Sequence, residues 1–257
     1  MAELILLDIF SYSCMNCLRS LDYIKKLDKK YKKFGLKTII IHPPEWDFEK
    51  QSVNIMKAAE KYNIKIPIVI DKNYFVIKRL KVDFWPTQIL IKDNKILYKH
   101  VGEGNYKGLE NSIVENLRIK AKKEFKNEPK YSKFPTIYCG KKKKGNIRIL
   151  NDNKNNNLKF GIVYSDDKWA QNKEYIKSLK NNSALSIKTA GKITNFVAES
   201  LTKNPIKISI ELNNKKLNAM QINSPQLYRL AESKDNKENK LTINADKNLA
   251  VYSFSFQ

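Results

Sequence analysis

Two of the three cysteines in this 257-residue chain stand three positions apart, in "LLDIFSYSCMNCLRSLDYIKKL". A Cys-x-x-Cys pair either supplies half of a metal site or makes and breaks a disulfide. A tetrahedral zinc site needs about four ligands, usually from two cysteine-rich knuckles. Beyond Cys14 and Cys17 the chain offers Cys139, His42 and His100, each alone in its own segment, so no metal is expected. Redox chemistry fits the surroundings better. Cys14 falls where a buried strand turns into a helix, beside unpaired backbone N–H groups and the positive end of the helix dipole. That field favours thiolate over thiol. Cys17, one turn further on, is placed to attack a mixed disulfide on Cys14 and release the product. Cys14 is therefore the expected nucleophile and Cys17 the expected resolving thiol. The Cys14–Cys17 disulfide is the redox group, with no metal or organic cofactor required.

The elements that must hold this pair follow from hydropathy. Leu4–Phe10 is a short apolar run and predicts a buried strand. Leu18, Leu21, Ile24, Leu27 and Tyr31 recur at helical spacing, with lysines on the opposite face. Leu36–His42 predicts a second strand, ended by Pro43 and Pro44. Val53, Met56, Ala59 and Tyr62 predict a helix, Ile66–Asp71 a strand, and Val76–Leu80 a short helix. "TQILIKD" and "KILYKHV" predict a hairpin that turns at Asp93–Lys95. A last helix is expected over 106–123. This order describes an α/β domain over residues 1–125. After a linker at 126–133 the pattern becomes alternating. "IKISIEL", "VYSFSF" and "LKFGIVY", set among Asn, Lys and Gly turns, predict an antiparallel β-sandwich over 134–257.

Composition excludes several classes. The formal charge is +23, which makes the surface attractive to anions. The lysines are scattered, though, and the densest run, Lys141–Lys144, is short. Neither arginine forks nor aromatic platforms within a basic stripe are present, so no nucleic-acid partner is expected. No apolar run approaches the length of about 18 residues that a membrane span needs. The N-terminus has no basic n-region or cleavage site. As the chain stands it reads as cytoplasmic; a trimmed N-terminus would make it extracytoplasmic or membrane-associated.

A CxxC that follows a buried strand and opens an amphipathic helix resembles the centre of thioredoxin-fold proteins, and further residues agree. Asp8, six positions before Cys14, matches the buried acid that handles the resolving cysteine's proton in that fold. In "FWPTQILI", Pro86 matches the cis-proline that faces the CxxC, and Trp85 before it would offer backbone groups to an extended peptide. "FSYSCMNCLRSLDYIKKL", "IIIHPPEWDFEK", "FWPTQILI" and "YKHVGEGNY" narrow the resemblance to the DipZ family, a branch of the TlpA-like thiol-disulfide oxidoreductases. In that family a sandwich resembling carbohydrate-binding modules follows, and "PQLYRLAESKDNKENKLTINADKNLAVYSFSF" is similar to its end. The resemblance implies an α/β thioredoxin-like domain followed by an all-β jelly-roll or sandwich domain. It also implies protein thiols and disulfides as substrates, and an upstream electron donor of thioredoxin type or a membrane CcdA-like protein. Family members commonly join these domains to a membrane-embedded electron-transfer domain, and none is expected within these 257 residues.

Glu45 matches the family's acid; it either tunes the cysteines or is an acidic residue in the first turn of a helix, where it is favourable anyway. Arg19 supports the Cys14 thiolate or is a surface residue. "GEGNY" (Gly102–Tyr106) reads as a strand-to-helix turn, Cys139 as a semi-buried side chain, and Trp169 as core or a sugar-stacking plate. The expected function is thiol-disulfide exchange with proteins. The alternatives are a binding protein whose sandwich recognises a glycan or a protein, with the CxxC secondary, and a thiol peroxidase. The peroxidase is disfavoured because the Cys14 loop lacks the Pro and Thr of such centres.

Overall fold

In the computed structural model, which describes residues 3–122, 124–125, 134–150, 158–234 and 238–257, the chain divides into two units, Met1–Lys130 and Tyr131–Gln257. The linker expected at 126–133 lies outside the described residues.

The first unit is built on strands β1 (Leu4–Ile9), β2 (Leu36–His42), β3 (Ile68–Ile70), β4 (Thr87–Lys92) and β5 (Lys95–Val101). Their order in the sheet is β3-β2-β1-β4-β5. The first three run parallel, and β4 and β5 are antiparallel to their neighbours. Parallel neighbours need a crossover, supplied by helices α1 (Met15–Tyr31) and α2 (Ser52–Lys61), with α3 (Phe75–Arg79) leading to β4 and α4 (Tyr106–Leu117) following β5. This central position of β1 puts its C-terminal end, and the turn into α1, at the middle of one sheet edge. That is where strand order reverses in an open α/β sheet, and where sites form.

Helix α1 buries Cys17, Ser20, Leu21, Ile24, Leu27 and Tyr31, the i, i+3, i+4, i+7 stripe of a core-facing helix. Cys17 thus belongs to the buried face, and Leu18, expected there, is only half-buried. In α2 the expected face is wrong. Val53 and Met56 are exposed, and the buried residues are Ile55 and Ala58. Two apolar stripes compete in "SVNIMKAA", and the one carrying Ile55 and Ala58 packs inward, while Ala59 and Tyr62 of the other are half-buried. Helix α4 stops at Leu117, short of 123, because Arg118 adopts a left-handed conformation (φ 54°) whose N–H closes back on Val114 and Glu115. The following segment is fastened instead by the buried carboxylate of Glu110, which accepts the N–H groups of Glu124 (2.7 and 2.8 Å) and Phe125 (2.9 Å). Tyr31 Oη also donates to it, at 2.6 Å.

The second unit has two sheets around one core. One sheet orders the strands Gln226–Glu232, Ile193–Ser200, Leu249–Phe256, Ile176–Ser178 and Trp169–Gln171. The other is centred on Ile206–Leu212, Asn239–Ala245 and Ser183–Thr189. In "IKISIEL" the alternation holds: Ile206, Ile208 and Ile210 are buried while Lys207 and Ser209 are exposed. "VYSFSF" departs from it. The strand Leu249–Phe256 lies between neighbours and is buried throughout. A register shift opposite Val197/Ala198 changes its phase, so Val251 and Phe254 both reach the core. The pairing of Ile147–Ile149 with Val163–Ser165 is parallel, a departure from the all-antiparallel expectation. The strand expected over 158–164 is confined to Val163–Ser165, and Leu158, Ile162 and Tyr164 form a small separate cluster.

Candidate active site

The β1–α1 turn places Cys14 at the N-cap of α1, in extended conformation (φ −83°, ψ 117°) and with no side-chain cap. Its N–H donates to the Ser11 carbonyl at 3.2 Å, and its own carbonyl accepts the first helical bond, from Leu18 N–H at 3.0 Å. Both cysteines are free thiols. Their exposures differ: Cys14 is half-buried, and Cys17 has no exposed surface. Burial pushes the Cys17 thiol well above the ordinary thiol range. A hydrogen bond with Cys14 and the charges of Cys14 and Asp8 act in the same direction, against a backbone hydrogen bond at Ser11. Cys17 therefore keeps its proton until something takes it.

Asp8 lies beneath the pair, on β1, with no exposed surface. Desolvation raises its pKa from 3.8 to about 7, even though a hydrogen bond from Gln88 pulls the other way. Gln88 Nε2 donates to Asp8 Oδ1 at 2.9 Å, while Asp8 Oδ2 is buried without a hydrogen-bond partner.

The opposite wall is the loop before β4. The Trp85–Pro86 peptide is cis, and Cys14 Sγ lies 3.9 Å from the Trp85 carbonyl oxygen. Trp85 is half-buried, and Phe84 beside it is 71% exposed. The Trp85 indole N–H donates to Glu45 Oε2 at 3.2 Å. Glu45 is not in the first turn of a helix. The turn that follows is 3-10 and spans Asp47–Lys50, with Trp46 ahead of it. The structure thus brings Cys14, Cys17, Asp8, Trp85, Pro86 and Glu45 to one end of the sheet, with Glu45 meeting the site through Trp85.

Arg19 departs from both expectations. Its Nε donates to both carboxylate oxygens of Glu103 (3.1 and 2.9 Å), and its Nη2 donates to Asn16 Oδ1 at 2.6 Å. It therefore fastens the middle of the CxxC to the Gly102–Tyr106 turn. His42, at the end of β2, accepts the Tyr12 N–H at Nε2 (3.2 Å), and burial lowers its pKa to about 4, so it is neutral. Cys139 is fully buried, with its thiol pushed up by desolvation. Trp169 belongs to the sandwich core. Among the described residues no group of three or more His, Cys, Asp or Glu is placed to hold a metal ion.

Glu49 was not expected. It is completely buried. Its Oε1 accepts Ser11 Oγ (2.8 Å), Ser13 Oγ (2.7 Å) and Ser13 N–H (3.2 Å), and its Oε2 accepts Glu45 N–H (2.5 Å). Burial raises its pKa to about 7 against those four donors. One carboxyl thus ties the turn that presents Cys14 to the segment that carries Trp85's partner. Glu49→Leu would strip these donors of their acceptor, and a loss of about 2 kcal/mol or more is expected. The urea midpoint measures it, and an unchanged midpoint would make the tie dispensable.

A thiol pair at a helix start, over a buried acid and across from a cis-proline, on this strand order, is the arrangement of a thioredoxin-like fold. Comparison with known proteins agrees. Residues 4–117 match the family model described as Redoxin, and residues 139–256 match that described as Thioredoxin like C-terminal domain. Protein DipZ of Mycobacterium bovis is 35% identical over 122 residues, covering 47% of this chain and 17% of DipZ. Thiol-disulfide oxidoreductase ResA of Bacillus cereus is 29% identical over 107 residues, covering 41% of this chain and 59% of ResA. This chain therefore spans only a minor part of DipZ and under two thirds of ResA. A thiol:disulfide interchange protein DsbE from Chlorobium tepidum superposes with a TM-score of 0.41 at 22% identity, covering 45% of this chain and 80% of that one. The first unit is thus similar over residues 4–117 to the Redoxin model and to thiol-disulfide oxidoreductases, and the second to the model that matches residues 139–256. No helix among its described residues is long and apolar enough to cross a membrane.

Proposed function

We propose that the chain exchanges disulfides with protein substrates through Cys14 and Cys17. The observation that carries this reading is the asymmetry of the pair, an accessible thiol at the helix start and a buried one above a buried acid. The Cys14 thiolate attacks a substrate disulfide, forming a Cys14–substrate bond and expelling one substrate thiolate. Cys17 passes its proton to Asp8, and its thiolate attacks Cys14 Sγ. The Cys14–Cys17 disulfide forms, the second substrate thiolate leaves, and two electrons have moved to the substrate. A dithiol donor, either thioredoxin-like or a membrane protein of CcdA type, restores the pair by the same steps in reverse. In this reading the Cys14–Cys17 disulfide is the redox group.

Trp85 and the Pro86 loop would receive the substrate as an extended strand, with Phe84 offering apolar contact. The equilibrium reduction potential of the pair in glutathione buffers tests the reading and its direction. A value near −270 mV marks a reductant, and one near −120 mV an oxidant. A pair that forms no disulfide in any buffer would end the reading.

The sandwich is assigned to docking or localisation, with a glycan or protein as its ligand. All the proposed redox residues lie in the first unit, so residues 1–130 alone are expected to keep most of the insulin-reducing activity. A fragment that folds by circular dichroism yet has lost turnover would refute this division.

A further inference from the structure

Gln88 stands outside the thiol chemistry described above, yet among the described residues it is the side chain bonded to Asp8. In the β1–β4 ladder the two residues are direct register partners. Gln88 is 1% exposed and Asp8 0%. A polar amide held this deep needs a partner, and its Nε2 donates to Asp8 Oδ1 at 2.9 Å. The other oxygen, Oδ2, is buried with no partner.

We propose that Gln88 is a positioning residue of the resolving step: its amide fixes one oxygen of Asp8 and leaves the other free to take the Cys17 proton. The inference rests on Asp8 as the acceptor of that proton. An N–H donated to a carboxyl stabilises its ionised form. In a site this desolvated, Asp8 would otherwise hold its own proton and could accept none. The amide carries no charge and does not titrate, so it supports the carboxylate without becoming a competing base. The transfer balances: the Cys17 proton moves to Asp8 Oδ2, and the thiolate's electron pair forms the bond to Cys14 Sγ.

Around Asp8, helix α1 brings Cys17, with Cys14 acting on it in turn. Strand β2 sets Ile40 against Asp8. Helix α4 contributes Tyr106 and Glu110 to the buried set, and Glu110 is engaged by Tyr31, Lys30, Glu124 and Phe125. The hydrogen bond acting on Asp8 comes from Gln88.

The test uses the full reduced chain and Ellman's disulfide. Attack by Cys14 releases a first thionitrobenzoate, and resolution by Cys17 releases the second, so the second phase reads the step directly. Gln88→Met keeps the shape and removes the donor. The midpoint of the second phase against pH is expected to rise by about one pH unit. Asp8 would then go from about half to about a tenth ionised at pH 7, slowing resolution roughly fivefold, with the difference closing above about pH 9. Gln88→Leu carries the same test if the methionine variant does not fold. An unmoved midpoint, or slowing by the same factor at every pH, would overturn the proposal, since either outcome reports packing alone. Asp8→Asn separates the two ideas. If it removes the pH-dependent limb while Gln88→Met leaves the midpoint in place, Asp8 stands and Gln88 falls. If the limb survives Asp8→Asn, the acceptor is not Asp8 and both fall.

Discussion

Cys17→Ser should accumulate mixed disulfides with its substrates, and Cys14→Ser should lose disulfide reduction altogether. The difference follows from exposure. Cys14 is the half-buried thiol at the helix start, and Cys17 has no exposed surface. A substrate sulfur can therefore reach Cys14, while Cys17 can reach only Cys14. Without Cys17 the first bond forms and is not resolved, so turnover in an insulin assay falls to background while a covalent adduct appears by mass spectrometry. Without Cys14 no adduct forms. Alkylation with iodoacetamide at neutral pH gives an independent check, with Cys14 the thiol modified first. Prior modification of Cys17 would invert the assignment.

Asp8→Asn should slow the resolving step by roughly tenfold to a hundredfold, the range of one acid–base group, and should affect the first attack less. Stopped-flow traces of mixed-disulfide formation and decay separate the two, and an unchanged decay between pH 6 and 9 would remove Asp8 from the mechanism. The same substitution has a stability signature of definite sign. In the unfolded chain Asp8 ionises near 3.8, and in the folded chain near 7. Between those values the folded state binds more protons, so this group's contribution to stability falls as pH rises. Below about pH 4 both states are protonated and the penalty is absent. Asp8→Asn should therefore match the wild type near pH 3 and exceed it by about 1–3 kcal/mol at pH 8. A variant less stable at pH 8 would show that the carboxylate is held at no net cost.

What was legible in the sequence was what is encoded locally. The strand-to-helix position of the CxxC, the apolar runs of β1 and β2, and the alternation of Ile206, Ile208 and Ile210 each depend on a few consecutive residues. Asp8 and Pro86 came from resemblance. Glu49 gave no local signal: it is one of three carboxylates in "EWDFEK", and its serine partners lie 36 and 38 residues away. Gln88 shows only as a polar residue in an apolar strand, and its meaning depends on pairing with β1, 80 residues earlier. The inward face of α2 depends on what packs against it, and the end of α4 on a single left-handed residue. Arg19 looked like one more surface cation until Glu103, 84 residues on, came beside it.

The strand Leu249–Phe256 sits between Ile193–Ser200 and Ile176–Ser178, so an interior piece of this sheet is synthesised after both of the strands it joins. A ribosome can release the whole β3-β2-β1-β4-β5 sheet after Val101, and that unit is free to fold while translation continues. The sandwich has no such option. Until residue 256 emerges, Ile193–Ser200 and Ile176–Ser178 each present an open edge, the state in which chains pair with the wrong neighbour. A stop codon introduced just before Leu249 would thus spare the first unit and leave the sandwich as a substrate for chaperones and proteases.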